Sequence, residues 1–387
     1  MEQGEVKMNT KLMITIFTLT LLLISGCRIK TATPIDESAP NNEPIKIGAV
    51  YALSGPFASY GIEEKRGLEM AALEINQNGG IDNRKIELIF EDDTGDVQKS
   101  VTAVNKLIEV DHVKYIFTAF SSSSQATAPI AEASGVLYMS ATVSKIGTGK
   151  YVFRDFWDME DAGRSIGRAI NKEGIKNLGI LALNYGDTES FLKGLKSTLN
   201  NKIQIKEERY DFGETDFKTQ LSKLKSFEAD GIIVYGFPGA ESTKITQQIK
   251  ELGLDNARLF GSSNYGYTYM HLPLRDTLSK MRLIDVWYSL DPGNIQSQKF
   301  ITKYNRTYWQ DLVGDAAYTY DDLHALAIAM KKRGADADTA DIAEALRETN
   351  LDGAAGKLTF DTLGNSKRES YLHIYEENGW NKYNTLT

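Results

Sequence analysis

From Ile45 onward the chain alternates short apolar runs with amphipathic stretches, and that rhythm restricts the fold more than any other feature. Ile45–Leu53 reads as a strand, and Ile62–Asn76 as a helix with Leu68, Ala71, Ala72 and Ile75 at helical spacing. The alternation continues through Lys85–Phe90, Val97–Val110, Val113–Phe117, Ser124–Ser134 and Val136–Met139. A second series runs Asn177–Leu183, Thr188–Leu199, Ile203–Tyr210, Phe217–Phe227, Gly231–Tyr235, Thr243–Leu252 and Arg258–Phe260. Strands regularly separated by helices pair in parallel, which predicts α/β sheets covered by helices. The units are too many for one open sheet, and Tyr151–Asp158 reads as a crossing between two. Beyond a strand at Ile284–Tyr288 the pattern predicts three helices between Ile295 and Glu348. Short β segments follow at Gly353–Asp361 and Glu369–Glu376, with turns at Gly364-Asn365 and Asn378-Gly379.

In open α/β sheets, ligands bind where loops leave the carboxyl ends of the strands. That rule selects Ser54–Gly61, Phe120–Ser124, Ser140–Ile146, Asn184–Asp187, Gly236–Gly239 and Ser262–Tyr267. Ser121-Ser122-Ser123-Ser124 opens a helix, where hydroxyls and free backbone N–H groups suit a carboxylate; the same serines serve equally as a helix cap. Ser140-Ala141-Thr142 adds a second hydroxyl cluster on the next unit, which favours a carboxylate cradle. Phe57, Tyr60, Phe120, Trp157, Tyr185, Phe237 and Tyr265 give the loops the mixed apolar and polar character of a small-molecule pocket. Arg154 and Asp158 flank Phe156-Trp157 at the crossing, and a buried structural ion pair is the expected role for Arg154.

Catalysis finds little support. The four histidines are scattered, and no G-x-S-x-G, P-loop or H-E-x-x-H sequence occurs. Glu91-Asp92-Asp93 with Asp96 lacks the alternating spacing of a calcium loop and reads as a solvated strand-end turn. The chain reads as a binding protein without metal or cofactor. A net charge of −8 argues against nucleic acid, which needs clustered Lys and Arg.

Ile45–Gly61, Gly79-Gly80-Ile81, Glu91-Asp92-Asp93, the serine loop, Ser140-Ala141-Thr142, Tyr151–Arg154 and Gly356–Asp361 occur in one order and at similar spacing in a known family. Over residues 45–380 the chain resembles the type I periplasmic binding proteins of branched-chain amino acid (leucine/isoleucine/valine) ABC importers. The resemblance implies two Rossmann-like lobes joined by a three-segment hinge, with a ligand trapped as they close. It places 45–157 with 288–357 in the N-terminal lobe, and 158–287 with 358–387 in the C-terminal lobe. It implies that Ser122, next to Ser123, binds a ligand carboxylate together with Ala141 and Thr142. It further implies that Tyr60 lies against the ligand, that Tyr185 closes over it, and that Phe237 stands where leucine binders carry a tyrosine.

The chain also departs from that family. Where its leucine binders place a glutamate for the ligand ammonium, this sequence has Ser263. A buried ammonium without an anionic partner is costly, so either Asp158 or Asp321 substitutes or the ligand lacks an ammonium group. The loop before Ala141 is shorter, and Trp157 fills a position that is usually small. The resemblance therefore implies a branched-chain or related amino acid as ligand. The alternatives are an aromatic or other carboxylate, an amide or urea, or a sensor docking on a membrane receptor.

Residues 1–26 combine Lys7 and Lys11 with an apolar stretch from Leu12 to Ile24, which reads as a secretory signal. Leu21–Cys27, ending in the single cysteine, resembles the lipobox of bacterial lipoproteins. The expectation is cleavage before Cys27, lipidation of that residue, a polar tether over 27–44 and an extracytoplasmic domain anchored to a bacterial-type membrane. ABC permease subunits are the expected protein partners.

Overall fold

The structure, a computed structural model, describes residues 43–147, 149–236, 240–265, 273–288, 294–308, 314–366, 368, 370–377 and 379–383. The predicted crossing divides two sheets. The first has five parallel strands in the order β2-β1-β3-β4-β5, formed by β1 (Ile45–Tyr51), β2 (Ile86–Asp92), β3 (Tyr115–Ala119), β4 (Leu137–Ala141) and β5 (Val152–Arg154). Every residue of β3, β4 and β5 is buried, as expected for strands covered on both faces. Between them run α1 (Ala58–Gln77), α2 (Val97–Glu109) and α3 (Ser121–Ala133). Asp96 starts α2 by accepting the Lys99 amide at 2.9 Å.

The second sheet begins with β6 (Asn177–Leu183), β7 (Gln204–Tyr210), β8 (Gly231–Tyr235), β9 (Arg258–Phe260) and β10 (Ile284–Tyr288). Its helices are α4 (Met159–Glu173), α5 (Thr188–Thr198), α6 (Lys218–Ser226), α7 (Ala240–Glu251) and α8 (Arg275–Lys280). Helices α4 and α5 meet at glycine: a Cβ on Gly194 would lie 1.9 Å from the Glu160 carbonyl oxygen, and one on Gly163 2.0 Å from that of Phe191. The chain then supplies α9 (Ile295–Tyr308), α10 (Asp315–Arg333) and α11 (Thr339–Arg347), the three predicted helices. Helix α10 packs on α1, burying Leu323, Leu326 and Met330 in the core of the first sheet.

The predicted β segment at 353–361 is a hairpin of β11 (Asn350–Gly353) and β12 (Gly356–Thr359). Finally β13 (Ser370–Glu376) and β14 (Gly379–Lys382) add antiparallel strands to the second sheet, giving the order β14-β13-β10-β9-β8-β6-β7. Strand β14 went unforeseen in the sequence.

The chain passes between the sheets after β5, after β10 and before β13. Two of these passes run side by side: the Arg154 amide donates to the Gly364 carbonyl at 2.9 Å, and the Ser366 amide to the Arg154 carbonyl at 2.8 Å. Arg368, its side chain 1% exposed, ties them together. Its Nε donates to Asp155 at 2.8 Å, its Nη2 pairs with the same carboxylate, and its Nη1 reaches Asp321 at 3.3 Å and the Gly356 carbonyl at 2.9 Å. Burial alone would raise Asp155, but the Arg368 guanidinium outweighs it and holds that carboxyl below its ordinary range. Asp322 is driven the other way, by burial and then by the charge of Asp155.

Candidate functional site

At the carboxyl edge of the first sheet, β3 hands over to α3 through Phe120, whose φ of 63° is left-handed. A bulky residue held there costs about 1–3 kcal/mol, and it fixes the direction in which the helix starts. Helix α3 begins at Ser121, three residues earlier than predicted, and no side chain caps it. Its first-turn amides therefore lack intrahelical acceptors.

The four serines divide. Ser121 Oγ is 2.8 Å from Thr142 Oγ1, while Ser122 is exposed. Ser123 turns inward, its Oγ 2.8 Å from Ser100 Oγ, which also reaches Asp93. Ser124 bonds Ser140 Oγ at 2.7 Å inside the lobe. Ser122, Ala141 and Thr142 thus lie at one sheet edge, where Ser121 bonds Thr142, while Ser123 is held inside the lobe.

Arg154 braces this edge from behind. Its Nη1 donates to the carbonyls of Thr142 at 3.1 Å and Trp157 at 3.2 Å, and its Nε to Asn365 Oδ1 at 3.2 Å. The expected ion pair is replaced by carbonyl acceptors, because the irregular crossing leaves buried C=O groups that need a donor. Trp157, 6% exposed, stacks on Phe156 with ring centroids 5.5 Å apart and belongs to the second sheet's core.

Tyr60 sits in the first turn of α1, which starts four residues before its predicted point. It lies edge-on to Phe120 at 6.2 Å; Phe57 packs on Phe120 at 5.2 Å and on Phe212 at 5.5 Å. Phe212 follows β7, so this aromatic row bridges the two lobes.

The second lobe contributes the loop after β6. Tyr185 is half-buried, and Asp187, 5% exposed, accepts from Ser121 Oγ at 3.3 Å and from Ser144 Oγ, both on the first lobe. Burial pushes the Asp187 carboxyl above its ordinary value, against the pull of those two hydroxyls. Ser263, at φ 76°, gives its amide to Asp285 Oδ1 at 2.7 Å; Tyr265 and Val286 donate to the same carboxylate at 3.0 and 2.9 Å. Burial still pushes Asp285 up to about 7.

Neither acid expected to replace the missing glutamate is available for that role as its bonds stand. Asp158 caps α4, accepting the amides of Glu160 at 2.8 Å and Asp161 at 3.2 Å. Asp321 accepts the amides of Ala354 at 2.7 Å and Ala355 at 2.9 Å beside Arg368. The acid cluster after β2 is a turn, with Asp92 holding Leu53, Ser54 and Thr94. Among the described residues no group of His, Cys, Asp or Glu is arranged to hold a metal ion. Phe237 and Cys27 lie outside the described residues.

Sequence reasoning named Ser121 within the serine run but did not single out Ser144, Asp187 or Phe212. Asp187 ends a loop that the strand-edge rule selected, yet nothing local separates it from other acids at helix starts.

A family model for periplasmic binding protein matches residues 44–373. The leucine-, isoleucine-, valine-, threonine- and alanine-binding protein of Pseudomonas aeruginosa is 29% identical over 358 residues, covering 89% of this chain and 92% of that one. The Leu/Ile/Val-binding protein of Escherichia coli is 27% identical over 337 residues, covering 84% and 89%. Among solved structures, a branched-chain amino acid transporter substrate-binding protein from Streptococcus pneumoniae in complex with isoleucine has a TM-score of 0.76 at 23% identity, covering 88% of this chain and 100% of that chain. A solute-binding protein from R. palustris in complex with benzoate has a TM-score of 0.76 at 21% identity, covering 88% and 95%. These two likenesses establish the fold, two lobes of parallel sheets flanked by helices.

Proposed function

The chain belongs to the periplasmic binding protein family, and from that membership we propose that it is an extracytoplasmic solute-binding protein. In this reading it captures a small carboxylate-bearing ligand, a branched-chain or related amino acid, between its lobes and delivers it to an ABC importer. The curated relatives are named as binding proteins of such amino acids. The observation that carries the reading is the meeting of two sheet edges. Ser121, bonded to Thr142 on its own edge, also reaches Asp187 on the other, with hydroxyls and first-turn amides grouped as a carboxylate requires.

The mechanism is hinge closure. A ligand resting on the first-lobe cradle gains contacts from Tyr185 only when the lobes approach, so its differential affinity favours the closed form that a permease reads. The lobes would comprise 45–157 with 288–357 and 158–287 with 358–387. Residues 1–26 would be the secretory signal, and lipid on Cys27 would tether the domain through 27–44. Each acyl chain contributes about 0.8 kcal/mol per buried methylene, and two or more anchor firmly.

Calorimetric titration of the chain, unfolded and refolded to strip carried-over ligand, tests the reading with branched-chain amino acids and simple aromatic acids. Tyr185→Ala should weaken the bound ligand more than tenfold, about 1.4 kcal/mol. Unchanged affinity removes Tyr185 from the site, and silence across the whole panel sinks the proposal.

A further inference from the structure

We infer that Asp187 pairs with a ligand ammonium group and thereby selects α-amino acids over carboxylates that lack one. The inference rests on the solute-binding reading and deepens it. Asp187 is buried, yet its described partners are two hydroxyls from the opposite lobe, and among the described residues no Lys, Arg or His pairs with it. A buried carboxylate without a cation is strongly disfavoured, and hydroxyls compensate only part of that cost.

Three other buried acids of the edge and the crossings are provided for. Asp285 has three backbone amides, Asp155 has Arg368, and Asp321 has Arg368 with two amides. Ser263 stands where the acid was expected, and its amide is committed to Asp285. The acid has therefore moved from the loop after β9 to the loop after β6, on the same edge of the same sheet.

Distances fit the zwitterion. Ser121 Oγ touches both Thr142 Oγ1, at 2.8 Å, and Asp187 Oδ2, at 3.3 Å. The hydroxyl cradle and the acid thus meet at one side chain, and in an α-amino acid the carboxylate and ammonium meet at one carbon. Another acid at this edge, Glu241, accepts the Gly213 amide at 3.0 Å on its own lobe, and among the described residues it bonds no first-lobe group.

The test titrates the full chain, stripped of ligand, with leucine, isoleucine, valine, threonine and alanine, and with the 2-oxo acid corresponding to each. At least one amino acid should bind about 100-fold or more tightly than its 2-oxo acid. Asp187→Asn should weaken that amino acid about 30-fold or more and bring the two ligands close to parity, while Glu241→Gln shifts it less than about threefold. Affinity within threefold of wild type in Asp187→Asn, or the large loss appearing in Glu241→Gln instead, overturns the inference. Should Asp187→Asn fail to fold, the wild-type ratio decides: parity between an amino acid and its 2-oxo acid rejects the ammonium pairing. Binding of oxo or aromatic acids alone also rejects it while leaving the solute-binding reading intact. Silence of the wild-type chain toward both classes rejects both.

Discussion

Asp321 and Asp187 are both buried carboxylates, one beside the crossings and one at the lobe edge, but the chain has treated them differently. Around Asp321 it supplies Arg368, two backbone amides and a second acid, Asp155, that shares the guanidinium. Around Asp187, among the described residues, it supplies two hydroxyls. A charge neutralised within the protein belongs to the frame. In the pairing inferred above, the partner of Asp187 comes from outside. The crossings thus carry an ionic centre of their own, while among the described residues no Lys, Arg or His pairs with Asp187.

Removing the centre of the first region should have the largest effect. Arg368→Met leaves Asp155 and Asp321 buried without their cation and should cost about 3–5 kcal/mol in urea unfolding. A loss below 1 kcal/mol would mean that the crossings do not depend on it, and the contrast with Asp187 would fail.

Next comes pH. Asp155 is held below its ordinary value, so its contribution is present above about pH 4 and is lost as pH falls further. Asp285, raised to about 7, acts in reverse: its neutral form suits the fold, so stability declines as pH climbs from about 4 to about 7. Urea midpoints from pH 3 to 8 should peak near pH 4–5, with Arg368→Met flattening the acid limb and steepening the other, because Asp155 and Asp321 then lose the cation that holds them down. Asp315, raised to about 7, and Asp321, raised to about 6, act with the same sign, so a limb above pH 5 that rises would contradict all three upward shifts.

The smallest effect belongs to the aromatic row. Phe212→Ala should remove about 0.5–1.5 kcal/mol of stacking on Phe57, read as a few-fold loss of ligand affinity with little change in unfolding midpoint. Equal losses in both would assign Phe212 to the frame.

Most of the architecture was legible because strand and helix periods are local. Ile284–Tyr288 and Arg258–Phe260 fall where the apolar runs placed them, and the crossing at 151–158 sits where two series meet. The candidate site was legible in part. The strand-edge rule selected loops holding Ser122, Thr142, Tyr185 and Asp187, since it follows from topology alone. It could not rank the acids, because a carboxylate's role depends on what a distant segment brings. Asp158 was expected at the ligand and caps a helix; Arg154 was expected in an ion pair and holds carbonyls. Asp187 meets Ser121 across 66 positions of sequence, and Arg368 meets Asp155 across 213.

The antiparallel strand β13 lies between β14 and β10, although more than eighty residues separate it from β10 in the chain. During synthesis, β10 must wait with an open edge while the first lobe receives α9, α10 and α11. The second lobe is thus the later half both to start and to finish. Until its last strands arrive, it exposes a hydrogen-bonding rim of the kind that recruits other chains.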